Sequence, residues 1–338
     1  MSFNLDEDVI YHILDVLQEP EPSHDSRACP TVLPTCYVNR SFNALATAIL
    51  YSSLDLTGRS SRRPLSLLVR TLDARADLAE RVRGLKILAS ADGVLELLPE
   101  LLRSCVNLER VKFYGLANVY LRECLDAIIN AGRASTIHTL SLSTHDPNPS
   151  AQPSQSRLTV AYISRRLAQF PNLRHLKLVD FMTKPCDWDV LTYRLTSLTL
   201  VNSLLGLRNF QNLCGPSQYL HKLHITEAET PSLQDFILAL QEDSEWAASL
   251  KHLVITSRLE LPPSTLHQIF MLPKLEILEY RGPVERTLEM SANPSGVVRK
   301  VWVRSDSARR EVYGAFKSSE GPIWRLEEGT MGCSLTRN

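Results

Sequence analysis

Asn172-Leu173-Arg174-His175-Leu176-Lys177-Leu178 is the stretch whose reading decides the fold. Leu173, Leu176 and Leu178 form an apolar-x-x-apolar-x-apolar phrase, and its second half alternates with period two, the mark of a half-buried strand. Asn107-Leu108-Glu109-Arg110-Val111-Lys112-Phe113 and Lys274-Leu275-Glu276-Ile277-Leu278-Glu279-Tyr280 are near copies, and Leu250-Lys251-His252-Leu253-Val254-Ile255 is a fourth. The phrase starts at Tyr51, Val82, Leu108, Ile137, Leu173, Leu195, Leu220, Leu250, Leu275 and Val298. At 44 % apolar content the bare pattern would arise by chance about 29 times. The fuller phrase and its regular steps of 22 to 36 residues therefore carry the signal.

Most of these steps match the 20–29 residues of a leucine-rich repeat. Leucine itself is in surplus, 55 of 338 residues. Helical patterns lie between the phrases: Leu65, Leu68, Leu72 and Leu78; Val94, Leu97, Leu98, Leu101 and Leu102; then Tyr120–Ile129, Val160–Phe170, Leu233–Leu240 and Leu266–Leu272. Short strands alternating with helices of about ten residues require a parallel sheet with its crossovers on one side. The expected fold class is α/β: a leucine-rich-repeat solenoid, or horseshoe, with parallel strands and outer helices over residues 51–326. Stacked neighbours bury what one unit cannot. Cys105, three residues before Leu108, is expected as a buried packing site, since its equivalents Ala134, Phe170, Ala247 and Leu272 are small or apolar. Residues 143–156 hold three prolines and almost no apolar residue, so they read as a flexible insertion. Residues 327–338 read as a tail.

Upstream, Leu5, Val9, Ile10, Ile13, Leu14 and Leu17 make an apolar stripe at helical spacing, with Asn4 and Glu7 as a capping pair. Four prolines between Gln18 and Pro34 interrupt it. Cys36, Val38, Phe42, Leu45, Ala46, Ile49 and Leu50 then mark a second helix. Fifty residues of short helix cannot sustain a core alone, so this piece docks on the repeats or on a partner.

Leu5-Asp6-Glu7-Asp8-Val9-Ile10-Tyr11-His12-Ile13-Leu14, then Cys36–Ala46 and Leu50-Tyr51-Ser52-Ser53-Leu54, resemble a fungal F-box. Asp6 stands where that family has proline, and Phe42 where it has tryptophan. With the repeats behind it, the whole chain is similar to F-box/leucine-rich-repeat proteins. The resemblance implies a small α-helical F-box over residues 1–50 that holds the adaptor of a cullin–RING ubiquitin ligase. Its apolar face would be Leu5, Val9, Ile13, Leu14, Leu17, Val38 and Phe42. The repeats would then hold a protein substrate near the ubiquitin-loaded enzyme, contributing effective concentration and orientation. The alternative is a leucine-rich-repeat scaffold with a degenerate F-box not engaged in ubiquitination.

Strand alternation sends the residues between buried leucines to the concave sheet face. Ten triplets, from Ser53, Asp55 and Thr57 to Lys300, Trp302 and Arg304, include eight Lys or Arg against two acids. The chain itself is neutral, with 37 basic and 37 acidic residues. The candidate substrate-binding residues are Arg110, Lys112, Tyr114, His175, Lys177, Lys222, His224, Arg281, Lys300, Trp302 and Arg304. Their natural complement is an acidic or phosphorylated protein segment.

Zero net charge argues against nucleic acid or an anionic membrane as partner. The phosphate-binding, nucleotide, serine-hydrolase and zincin motifs are all missing, so neither a catalytic residue nor a cofactor is expected. His221 and His224 would face opposite sides of a strand, so no metal site is expected either. With seven cysteines, no CxxC pair and no signal peptide, the chain is expected in the cytoplasm or nucleus.

Overall fold

The structure, a computed structural model, describes residues 40–57, 62–89, 93–144, 158–159, 163–182, 194–203, 213, 219–226, 248–257, 269, 272–281, 300–303, 324–329 and 332–337. Its frame is a sheet of ten parallel strands lying side by side in chain order. They are β1 (Ser53–Leu56), β2 (Gly84–Leu88), β3 (Arg110–Tyr114), β4 (Thr139–Ser143), β6 (His175–Val179), β8 (Ser197–Val201), β9 (Lys222–Thr226), β10 (His252–Thr256), β11 (Ile277–Arg281) and β12 (Lys300–Val303). The sheet is not closed. A two-stranded side sheet joins β5 (Leu158–Thr159) to β7 (Phe181–Met182).

Each strand repeats the same in-and-out alternation. The first apolar residue of the phrase (Val82, Leu108, Ile137, Leu173, Leu195, Leu220, Leu250 and Leu275) is at most 1 % exposed. The next two point the same way: Val111 and Phe113, Leu140 and Leu142, Leu176 and Leu178, Leu253 and Ile255 are all buried. They form one core cluster running from Leu65 to Leu278, shared with the helices. The helices among the described residues are α1 (Arg40–Ser52), α2 (Arg62–Ala74), α3 (Ala76–Ala79), α4 (Val94–Ser104), α5 (Asn118–Asn130) and α6 (Ser164–Leu167). From α4 alone, Val94, Leu98, Leu101 and Leu102 enter the core. At about 1.5–3 kcal/mol per buried leucine, this shared core is the main stabilising term. Cys105 and Cys124 lie within it as free thiols. Burial pushes the Cys105 thiol up to about 12, and burial followed by the nearby Glu123 carboxylate also raises that of Cys124.

Adjacent units are tied at their entry to the sheet by one recurring bond. The carbonyl of Arg83 accepts from the N–H groups of Glu109 and Arg110, each at 2.9 Å, and the Glu109 carbonyl accepts likewise from His138 and Thr139. The same two-donor bond recurs at the carbonyls of His138, Arg174, Thr196, His221 and Lys251. Side chains add to it: Asn107 and Asn172, which open two of the near-identical phrases, donate from Nδ2 to the carbonyls of Glu80 (2.8 Å) and Ser135 (2.7 Å). These satisfy loop carbonyls that no helix or strand ladder would reach.

At three of the exits, the residue after the strand turns left-handed: Gly115 (φ 61°), Asp180 (φ 61°) and Asn202 (φ 46°). Asp180 is 4 % exposed and accepts from Thr144 Oγ1 at 2.5 Å and from Asn202 Nδ2 at 2.6 Å. One polar chain thereby links the ends of β4, β6 and β8.

Several boundaries differ from those read in the sequence. Helix α1 runs to Ser52, across the 50/51 division, because Ala46 and Ile49 are buried and Tyr51 packs against the core. The helix through Leu65–Leu78 divides at Arg75, whose backbone leaves the helical region (φ −128°, ψ 78°). Residues 164–167 are the only described part of the Val160–Phe170 pattern that is helical; Pro171 disfavours helical backbone at Phe170. Ser143 closes β4, and both it and Thr144 are buried, so these two belong to the strand end and not to the insertion. The stretch read as a tail contributes to a hairpin: β13 (Trp324–Gly329) and β14 (Gly332–Arg337) pair antiparallel, and β14 pairs with β12. A stacked parallel sheet ends in unpaired backbone donors and acceptors, which this hairpin covers. The Leu233–Leu240 pattern lies outside the described residues, as does Leu266–Leu272 apart from the buried Ile269 and Leu272. No described helix is long and apolar enough to cross a membrane.

Candidate functional site: a basic groove on the polar sheet face

In-register parallel pairing sets equivalent positions of successive units side by side. The central row on the face away from the helices reads Asp55, Lys86, Lys112, Ser141, Lys177, Thr199, His224, Val254, Glu279, with Trp302 next in backbone register. The row beside it reads Ser53, Gly84, Arg110, Thr139, His175, Ser197, Lys222, His252, Ile277, with Lys300 next in backbone register.

The two acids stand towards the ends of the row, and both are engaged. Asp55 pairs with Lys86 Nζ at 3.1 Å and accepts from the backbone N–H and the hydroxyl of Thr57. Glu279 meets His252 Nε2 at 2.9 Å. Between them, strands β3 to β9 carry Arg110, Lys112, Tyr114, His175, Lys177, Lys222 and His224 with no acid at these inward positions.

Part of this set surrounds a groove of about 460 Å³ across β3, β4, β6 and β8. Lys112, Tyr114, His175 and Lys177 line it, with Ser141 and Thr199 from the same rows. Leu140 and Leu176 close its floor with Val179, and Ser141 (6 % exposed) and Ser143 (4 %) are its buried polar lining residues. Burial first, and then the charges of Lys86, Lys177 and Arg110, hold the Lys112 ammonium below the usual lysine range against the opposing pull of Asp55. Burial, then Arg174 and His138, lower the His175 imidazole. Burial raises the Tyr114 phenol, with Lys86 opposing and Asp55 assisting, so it remains a neutral donor near pH 7. An anion entering the groove relieves the lysine and histidine penalties together.

The remaining predicted residues fall elsewhere. Arg110 is exposed, one row from Lys112. Lys222 and His224 lie on β9, one strand beyond the groove, with His224 Nε2 bonded to Thr226 Oγ1 at 2.8 Å. Arg281, Lys300 and Trp302 belong to β11 and β12, several strands away, and Arg304 lies outside the described residues. So do Leu5, Val9, Ile13, Leu14, Leu17 and Val38; Phe42 falls in the first turn of α1. Basic and aromatic character picked the candidates from the sequence triplets and so passed over the lining residues Ser141, Ser143, Thr199 and Val179 on the same face. It also gave no sign that Lys86 is claimed by Asp55.

Among the described residues no three metal-ligating side chains cluster. Compared with protein-family models and with curated proteins, the chain matches none.

Proposed function

We propose that this chain is a substrate receptor without catalytic residues of its own: a leucine-rich-repeat solenoid whose polar sheet face holds an acidic protein segment. The observation that carries it is the groove lined by Lys112, His175 and Lys177, whose two lysines form no ion pair among the described residues while the acids of the same row are paired with Lys86 and His252. A row of evenly spaced side chains across many strands suits an extended ligand laid over the sheet. On the resemblance of its N-terminal helices to an F-box, the chain brings that ligand to a cullin–RING ubiquitin ligase through the adaptor, in the cytoplasm or nucleus. It needs no cofactor for this role, because the chemistry belongs to the recruited enzyme.

A second reading, a scaffold that does not meet the ligase, draws on one observation. Ala46 and Ile49 of α1 are buried in the chain's own interior, so part of the N-terminal module serves internal packing. Co-purification with the ligase adaptor decides between them. Deleting residues 1–50 would cut through α1, so the full chain is compared with Ile13→Asp and Leu17→Asp. Capture by the parent and loss in both variants supports the receptor. No capture by the parent at micromolar concentration leaves the scaffold.

A further inference from the structure

We propose that strand β13, the outer edge of the C-terminal hairpin, pairs with β13 of a second copy of this chain, antiparallel and centred on Leu326. The inference is independent of the receptor reading.

The hairpin covers β12 and, in doing so, moves the edge of the sheet outward. Among the described residues β14 fills one side of β13 and no strand fills the other, so Trp324–Gly329 ends the sheet. Such an edge offers a row of backbone donors and acceptors to any strand that can lie beside it. At six residues it is longer than β1, the four-residue strand at the opposite end.

Symmetry limits how two copies can meet there. A two-fold axis normal to the sheet makes the two strands antiparallel and keeps each face continuous, so opposed residues must belong to the same face. Pairing is then centred on a residue and never between two. Centring on Arg325 sets that cation opposite itself, and centring on Glu327 does the same with two carboxylates; both are unfavourable. Centring on Leu326 sets Arg325 of each copy opposite Glu327 of the other, with Leu326 opposite Leu326 and Trp324 opposite Glu328. Of these three registers, only the one on Leu326 is complementary in charge.

The register within the hairpin selects the same centre independently. Leu326 stands in line with Leu335, Val301 and Leu278, and Leu278 is 1 % exposed in the core. Arg325 and Glu327 fall in the rows of Ile277 and Glu279. Centring on Leu326 therefore carries the apolar row of one copy straight into that of the other. A slip of one residue would set that row against a polar one. Five opposed positions span about 17 Å. An interface of that size is transient, with an expected Kd of about 10–100 µM.

The test is sedimentation equilibrium of the full chain. The parent should form a dimer, and nothing larger, in that range. Arg325→Glu and Glu327→Arg should each weaken it about tenfold or more, because each sets two like-charged pairs across the axis. Mixed in equal amounts, the two variants become complementary again and should associate within about threefold of the parent. Recovery in the mixture also shows that neither change has unfolded the hairpin. A parent still monomeric at roughly 300 µM overturns the inference, whether hydrogen exchange then finds β13 covered by the chain's own residues or open to a different partner. Association that survives both variants, or that is lost in both and not recovered in the mixture, places the contact elsewhere and overturns it. Growth beyond two copies would mean head-to-tail pairing of β13 with β1 and overturn it as well.

Discussion

Asp55 takes the charge of Lys86 at 3.1 Å across the first pair of strands, and among the described residues no carboxylate forms such a pair with Lys112 on the next strand of that row. The difference decides where on the sheet an anion is wanted. It also implies that Lys112 costs the fold stability. Lys112 lies below the usual lysine range in the folded chain, so its protonated form is disfavoured by folding. The penalty is present while both states are charged and fades as pH rises through the folded and then the unfolded pKa. Lys112→Met should therefore stabilise the chain at pH 7 by about 0.5–2 kcal/mol, and the gain should shrink towards pH 10.5. Urea denaturation at both pH values checks this; a loss of stability at pH 7 would show that the ammonium is already compensated.

His175 sets an acid-side dependence. Its imidazole lies below its ordinary value through burial, Arg174 and His138, so the unfolded chain binds the proton more readily. Stability is unaffected above the unfolded value near 6.5 and declines as pH falls through it to the folded value. The drop in Tm between pH 7.5 and 5.5 should be smaller in His175→Gln than in the parent. Identical drops in both would mean that burial, Arg174 and His138 together do not disfavour the charged ring.

Asp180 is expected to be among the costliest polar positions to lose. Alanine there leaves Thr144 and Asn202 without their acceptor and keeps a side chain at φ 61°. We expect Asp180→Ala to lose about 2–4 kcal/mol. Asp180→Asn, which tolerates the left-handed backbone and keeps one acceptor, should lose roughly half of that. Chemical denaturation of both variants measures the difference, and a neutral Asp180→Ala would show that the chain linking three strand ends carries no stability.

Gly84 is required by its neighbour and not by its backbone. A Cβ at this position would sit 2.9 Å from Ser53 Oγ and 3.3 Å from Ser53 Cβ. Gly84→Ala should destabilise the junction of β1 and β2 by about 1–3 kcal/mol, and Ser53→Gly in the same chain should recover most of the loss. Hydrogen exchange along β2 reads the effect locally; failure of the second change to rescue would place the clash elsewhere.

How much of this was legible beforehand follows from the range of each interaction. Which face of every strand is buried could be read at Leu173, Leu176 and Leu178 and their copies, because side-chain alternation is a property of the single strand. The polar triplets followed from the same phase, and Lys112, Tyr114, His175 and Lys177 were named on that basis. Other features depend on what stands one unit away. Asp55 and Lys86 are 31 residues apart, Thr144 and Asp180 are 36, and Asp180 and Asn202 are 22. No local pattern couples positions at such separations.

The sequence by itself therefore determined the repeating unit, the strand phase and the basic character of one face, since all three come from period-two alternation and from the side chains present. Tertiary structure alone decided which cations are taken into ion pairs, that Ser141 is buried on the rung between Lys112 and Lys177, and that residues 324–337 cap the sheet. Those outcomes depend on which units become neighbours and in what register, and the burial and Coulomb terms exist only once the units are stacked.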